Sequence, residues 1–134
     1  MIKAILFDLD GVLVEAKKIH FESLNKAIEN IAGPQYVISE SEHLSTYDGL
    51  KTNDKLHLLT QNKGLDPNLY NQIWLEKQHK TVDELLKLQP NPALISLFEK
   101  LQKNYRIGCC SNSIFQTVSI SLRKLGIFNY FDSV

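Results

Sequence analysis

The sequence predicts an α/β fold, a Rossmann-like parallel sheet core that is incomplete and interrupted by an inserted all-helical segment. The run Ala4–Phe7 is apolar without alternation, which is typical of a strand buried on both faces. Tyr105–Cys110 is a second β-type run, and residues 17–88 between the two runs carry apolar side chains at helical spacing. Strands that alternate with helices favour a parallel sheet.

Three helices are predicted within the inserted segment. The first ends at Gly33-Pro34, the second ends near Gly64, and Asp66-Pro67 starts the third, which should end near Gln89. Residues 38–49 show too little periodicity for a helix, so we expect a loop there with at most a short turn. The apolar positions of these helices are Phe21, Leu24, Ile28, Ile31, Leu56, Leu59, Ile73, Trp74, Val82, Leu85 and Leu86.

The clearest internal boundary is Pro90-Asn91-Pro92. Asn91 and Pro92 are a good cap and first residue for a fourth helix, and Gly126 is a good left-handed terminator for a fifth. Residues 131–134 resemble the start of a third strand. We therefore expect residues 1–15 and 89–134 to form the α/β core, and residues 16–88 to form a separate helical domain.

Composition and charge narrow the classes of function. The 134 residues include 15 basic and 15 acidic residues, so no charge excess favours binding to nucleic acid or to an anionic membrane. No apolar segment is long enough to span a membrane, and no secretory leader is visible, which favours a cytoplasmic protein. Cys109 and Cys110 are adjacent on a predicted strand, so we expect two small core residues rather than a disulfide.

Asp8 and Asp10 follow the first predicted strand directly, at the end where open α/β sheets place their chemistry. If the chain stays extended, the strand period of two points both carboxylates to the same side. Two carboxylates so close repel each other, so either one takes up a proton or a cation bridges them, which favours a divalent cation such as Mg²⁺. One carboxylate could then act as a nucleophile and the other in proton transfer. A simple polar turn before Gly11 is the alternative interpretation.

Ser111 and Asn112 follow the second predicted strand in the same way. The serine hydroxyl and the asparagine amide can donate hydrogen bonds to a phosphoryl oxygen. The same residues are also typical helix caps. These two interpretations are compatible, because a phosphate at a helix start would use the same N–H groups.

Together these two motifs resemble those of the haloacid dehalogenase superfamily of phosphohydrolases. The resemblance implies that Asp8 forms an aspartyl-phosphate, and that Asp10 protonates the leaving group and then activates water. It also implies that Mg²⁺ binds the Asp8 carboxylate and the Asp10 backbone carbonyl, as metal ligands. Ser111 and the N–H groups of Leu9 and Asp10 would hold the phosphoryl oxygens. A helical insertion after the first strand resembles the small cap domain of the β-phosphoglucomutase-like branch.

Within the predicted cap, His20 matches a position where β-phosphoglucomutase-like members carry a histidine near the substrate. A packing or surface histidine is the alternative. Residues 49–54 resemble the cap loop that covers the substrate in that branch, and an ordinary loop followed by a helix start is equally compatible with them. Lys51 could supply a positive charge for the substrate there. Thr52 stands where mutases carry a phosphate-gripping arginine, which favours a phosphatase over a mutase.

Two further departures from the family pattern affect what we expect. Glu15-Ala16 occupies positions where members carry an acid followed by a hydroxyl residue, so a hydrogen bond near Asp10 is expected to be missing. No segment resembles the family's later lysine and acidic-pair motifs. We therefore expect a fragment or shortened product with weak or no catalysis alone. Its first strand would be an exposed apolar edge that invites self-association or a partner.

The predicted function is a Mg²⁺-dependent phosphatase that hydrolyses a small phosphorylated metabolite through an aspartyl-phosphate. A phosphosugar mutase of the β-phosphoglucomutase type is one alternative, in which a phosphorylated acceptor replaces water. A non-catalytic remnant or partner-binding fragment is the other.

Overall fold

The structure, a computed structural model, describes all residues from 1 to 134 and divides into two compact units. The first unit contains Met1–Ile19 and Val82–Val134, and the second contains His20–Thr81. The chain has the predicted α/β architecture, with a parallel sheet and a helical insertion. Its elements are β1 (Ala4–Asp8), α1 (Lys17–Ile31), α2 (Glu40–Glu42), α3 (Thr52–Lys63), α4 (Tyr70–Leu85), α5 (Pro92–Leu101), β2 (Arg106–Cys110) and α6 (Phe115–Leu125).

The sheet of the first unit is built from β1 and β2 in parallel, in a register that places Asp8 beside Cys110. The C-terminal residues lie along the other side of β2, where the Cys109 N–H donates to the Ser133 carbonyl at 3.0 Å. Gly108 and Ser133 form an isolated parallel bridge there. The third strand predicted for residues 131–134 is therefore present only as this single bridge.

Side chains alternate along β1 between a packed and an open face. Phe7 packs against the core of the first unit, with ring centroids 5.0 Å from Phe98 and 6.4 Å from Phe131. Leu6, on the opposite face, is 71% exposed. The prediction that β1 is buried on both faces is therefore wrong, because the core covers one face only. β1 has a neighbouring strand on one side only, as an apolar sheet edge does.

Local capping residues fix both helices that flank β2. Asn91 caps α5, since its Oδ1 accepts from the Leu94 N–H at 3.2 Å, and Pro92 is the first helical residue. Gly126 ends α6 in the left-handed region, with φ of 83°, as predicted. A side chain at this position would also clash, because a Cβ there would lie 2.9 Å from Ile95 Cδ1. These caps satisfy backbone groups that helix ends leave without intrahelical partners.

The second unit has an apolar core of its own, and its helices lie close to where the sequence predicts them. Residues 38–49 differ from the predicted loop: they form α2 and then a π-helix, His43–Tyr47, whose Tyr47 is buried. Asn25 holds the start of this segment through two hydrogen bonds, donating to the Ile38 carbonyl and accepting from its N–H. The buried residues of this core are Leu24, Ala27, Ile28, Ile38, Tyr47, Leu56, Leu59, Leu65 and Ile73.

The two cysteines differ in environment, and neither forms a disulfide. Cys109 is buried in the core of the first unit, as predicted, whereas the prediction that Cys110 is also a core residue is wrong, because Cys110 is exposed. Burial raises the pKa of the Cys109 thiol, with smaller contributions from Cys110, Asp8 and Asp10. Neighbouring residues of a strand face opposite sides, so only one of the two can enter the core. None of the helices has the length and apolar character needed to cross a membrane.

Replacing the cap of α5 tests how strongly this helix end stabilises the first unit. We expect Asn91→Ala to lower the free energy of unfolding by about 1 kcal/mol, because the Leu94 N–H loses its acceptor. Asn91→Ser is the matched control and should lose much less, since serine is also a good cap. Urea denaturation followed by circular dichroism gives both values. Equal stability of the two variants would contradict this role.

Because Cys109 is buried and Cys110 is exposed, the two thiols should be alkylated at different rates. In the native chain at mildly alkaline pH, iodoacetamide should modify Cys110 much faster than Cys109, because burial both shields Cys109 and keeps its thiol protonated. Peptide mass spectrometry over a time course measures the two rates. In urea the rates should become similar. Rapid labelling of Cys109 in the native chain would show that the core around β2 is not packed as described.

Candidate active site

The candidate site lies at the carboxyl ends of β1 and β2, within the first unit. Because the strands are parallel and Asp8 lies beside Cys110, the segments 8–10 and 111–113 leave the same edge of the sheet. Parallel sheets generally place their chemistry at this edge. The register thus brings the loops that contain Asp8, Asp10 and Ser111 together, although the whole helical insertion separates them in sequence.

The loop after β1 is a compact turn that is closed around Leu9. The Leu9 carbonyl accepts hydrogen bonds from the N–H groups of the residues at 12, 13 and 14, at 3.3, 2.9 and 3.2 Å. Gly11 donates its N–H to the Val14 carbonyl at 2.8 Å and has φ of 80°, which glycine adopts without strain. The buried Leu9 side chain anchors the turn in the core. Asp10 therefore lies within a turn that is closed by backbone hydrogen bonds.

The two carboxylates differ in exposure and in partners. Asp8 is exposed, and its Oδ1 accepts from the Leu9 N–H at 2.8 Å. Asp10 is half-buried, and its Oδ2 accepts from the Ser113 hydroxyl at 3.3 Å. Both carboxylates contribute to the raised pKa of Cys109, after burial and Cys110. The predicted use of the Leu9 N–H for phosphoryl binding would require the Asp8 carboxylate to release it.

The loop after β2 is organised by its own serine residues. The Ser111 hydroxyl oxygen accepts from the Ser113 N–H at 3.1 Å, a local turn that leaves the Ser111 hydroxyl hydrogen available as a donor. Asn112, between them, is exposed. Sequence analysis identified Ser111 and Asn112 but missed Ser113. The bond from Ser113 to Asp10 spans 103 residues, so no local pattern could have revealed it.

Lys17 adds a positive charge beside the first loop. Its side chain folds over Gly11, since a Cβ at Gly11 would lie 3.3 Å from Lys17 Cε and 3.7 Å from Lys17 Nζ. Lys17 is the first residue of α1 and is exposed. The sequence analysis did not identify Lys17. A lysine at the start of a predicted helix, where acidic residues are preferred, is the feature that could have drawn attention to it.

His20 and Lys51, which the sequence predicts to bind substrate, belong to the second unit. His20 Nδ1 lies 3.1 Å from Nζ of Lys77, a lysine that is only 6% exposed. Lys51 is exposed and precedes the first turn of α3. Lys77 was missed, although it lies four residues after the buried Ile73, on the inward face of α4. The substrate-binding roles of His20 and Lys51 stay predictions.

The side chains of this edge supply few metal ligands. No group of three or more histidine, cysteine, aspartate or glutamate side chains is arranged to hold a metal ion. Asp8 and Asp10 nevertheless offer oxygen donors, and Mg²⁺ is commonly bound through one or two carboxylates together with water and substrate phosphate. The donor set therefore fits a magnesium ion that shares its coordination with a phosphorylated substrate, rather than a preformed cage.

Several solved structures are similar to this chain in fold. A mutant of CbbY from Rhodobacter sphaeroides in complex with xylulose-(1,5)bisphosphate is 19% identical with a TM-score of 0.83, covering 99% of this chain and 62% of that chain. β-Phosphoglucomutase from Clostridium difficile is 22% identical with a TM-score of 0.78, covering 99% and 60%. A predicted phosphoglycolate phosphatase from Haemophilus somnus is 21% identical with a TM-score of 0.77, covering 98% and 61%.

This chain thus spans about three fifths of the length of these solved relatives. No curated protein sequence matches it. The family model described as haloacid dehalogenase-like hydrolase matches residues 5–134, which include both loops of the candidate site. The resemblance inferred from the two motifs is confirmed by this match, and the chain belongs to the haloacid dehalogenase-like hydrolase family.

Proposed function

We propose that this chain carries the nucleophile and the general acid of a phosphomonoester hydrolase that acts on a small phosphorylated metabolite. The observation that carries the proposal is the meeting of two strand-end loops, one with Asp8 and Asp10 and the other with Ser111. Membership of a hydrolase family supports it. The similar folds of a predicted phosphoglycolate phosphatase and a β-phosphoglucomutase are compatible with it.

In the proposed reaction, an oxygen of the Asp8 carboxylate attacks phosphorus while the bond to the ester oxygen breaks. The Asp10 carboxyl group gives its proton to that departing oxygen, which leaves as an alcohol. The Asp10 carboxylate then takes a proton from water, whose oxygen attacks the phosphorus of the aspartyl-phosphate. The bond to Asp8 breaks, inorganic phosphate leaves, and both residues return to their starting states.

Neutral donors of the two loops would bind the phosphoryl oxygens. The Ser111 hydroxyl keeps its hydrogen for this purpose, because its oxygen is the acceptor in the local turn. Asn112 and the N–H groups of Leu9 and Asp10 are further donors at the same edge. Mg²⁺ bound to the Asp8 carboxylate and the Asp10 backbone carbonyl would offset the charge that develops on the transferring group.

Lys17 contributes positive charge to the same loop. An exposed ammonium group attracts a phosphate dianion towards the site, an effect that salt screens over about 10 Å at moderate ionic strength. The predicted role of the helical insertion as a cap, with His20 and Lys51 at the substrate, remains part of this proposal. A mutase is the less favoured alternative, because Thr52 offers no phosphate-gripping cation.

Asp8→Asn tests the proposed nucleophile. With Mg²⁺ present, the wild-type chain should hydrolyse p-nitrophenyl phosphate, weakly, and Asp8→Asn should lower kcat by about a thousandfold or more, because an amide cannot replace the attacking carboxylate. Chelation of the metal with EDTA should abolish the wild-type activity. Absorbance of p-nitrophenolate measures turnover.

Glu15→Gln is the matched control, since it removes one exposed acid from the same chain segment and should leave turnover unchanged. Circular dichroism verifies that both variants are folded. Undiminished hydrolysis by Asp8→Asn would exclude the proposed nucleophile. With a sugar phosphate as the substrate, formation of an isomeric sugar phosphate instead of inorganic phosphate would favour the mutase.

A further inference from the structure

A hydrogen bond from Ser113 joins the two loops of the candidate site. The Ser113 hydroxyl donates to Asp10 Oδ2 at 3.3 Å, and both residues are half-buried. Among the side-chain hydrogen bonds described above, this one directly connects the loop after β1 with the loop after β2. Its acceptor, Asp10, is the residue to which the proposed reaction assigns two proton transfers.

Elements of the first unit set the position of Ser113. Its N–H donates to the Ser111 hydroxyl oxygen at 3.1 Å, directly after β2. β2 itself is fixed beside β1, with Asp8 next to Cys110. On its other side, the Cys109 N–H donates to the Ser133 carbonyl at 3.0 Å. The Ser113 hydroxyl is therefore presented to Asp10 by a paired strand and a closed turn, not by a freely moving loop.

The loop after β1 has no hydroxyl side chain at position 16 that could donate to Asp10. Ala16, where family members carry a hydroxyl residue, is 1% exposed and has only a methyl side chain. A carboxyl group that transfers protons must present one oxygen to the substrate, and rotation about its last bond changes which oxygen that is. A hydroxyl that donates to Oδ2 opposes this rotation.

We propose that Ser113 is a positioning residue that orients the Asp10 carboxyl group for proton transfer to the leaving oxygen. The inference rests on the proposed function and goes beyond it by adding a residue on the second loop. Ser113 acts through Asp10 and does not itself exchange protons with substrate. Its removal should therefore slow the step that needs acid assistance and leave phosphoryl binding nearly unchanged.

Two substrates whose leaving groups differ in acidity distinguish this positioning role from a purely structural role of Ser113. Ser113→Ala should lower kcat for an alkyl phosphate by about 10- to 100-fold, because the poor leaving group depends on a well-placed acid. The effect on p-nitrophenyl phosphate should be several-fold smaller, since p-nitrophenolate departs with little proton assistance. KM for both substrates should stay within about twofold. Ser113→Thr, which keeps the hydroxyl, should restore the alkyl phosphate rate.

Ser96→Ala, an exposed serine on α5, is the matched control and should leave both rates unchanged. Circular dichroism follows folding, and Ser113→Cys replaces Ser113→Ala if the alanine variant unfolds. With its weak S–H donor the cysteine variant should show the same selective loss, in smaller degree.

An unchanged alkyl phosphate rate, or an equal loss on both substrates, would overturn the positioning role while the Asp8→Asn result still supports the proposed function. If the wild-type chain turned over neither substrate, the proposed function and this inference would both be wrong. A selective loss on the alkyl phosphate that Ser113→Thr restores would support the inference.

Discussion

The parallel register of β1 and β2 is the constraint on which the candidate site depends. It places Asp8 beside Cys110, so the loops that follow begin at the same level of the sheet. A slip of one residue would turn every side chain of β1 to the opposite face. Core packing prevents this slip, because Phe7 must face Phe98 while the carboxylate of the next residue stays outside. Apolar contacts of the first unit thus determine where its acids lie.

The charges at the start of α1 are opposite to those that a helix N-terminus usually carries. Lys17 and Lys18 begin α1, and no acidic residue lies in the first turn. Cations there interact unfavourably with the helix dipole, by about 0.3–1 kcal/mol each when exposed. Lys17 lies over Gly11, in the turn that also contains Asp10, so this cation lies beside one loop of the candidate site. Departures from local sequence preferences are expected at functional sites. The unfavourable lysines at the start of α1 lie beside the candidate site.

Sequence patterns predict what is local and fail where distant segments meet. Asn91 and Gly126 were identified because each acts on its own helix end. Asp8 and Ser111 were identified because strand ends have a recognisable composition. The exposure of Leu6 depends on which elements cover β1, and apolar character alone wrongly suggested burial on both faces. Ser113 was missed because its bond to Asp10 exists only after β1 and β2 have paired.

The residues assigned to chemistry all belong to one unit, although two distant segments of the chain supply them. Asp8 and Asp10 come from Met1–Ile19, and Ser111 and Ser113 come from Val82–Val134. The inserted unit, His20–Thr81, has an apolar core of its own. In the proposed reaction, the geometry of proton transfer therefore depends on β1, β2 and the turns that follow them.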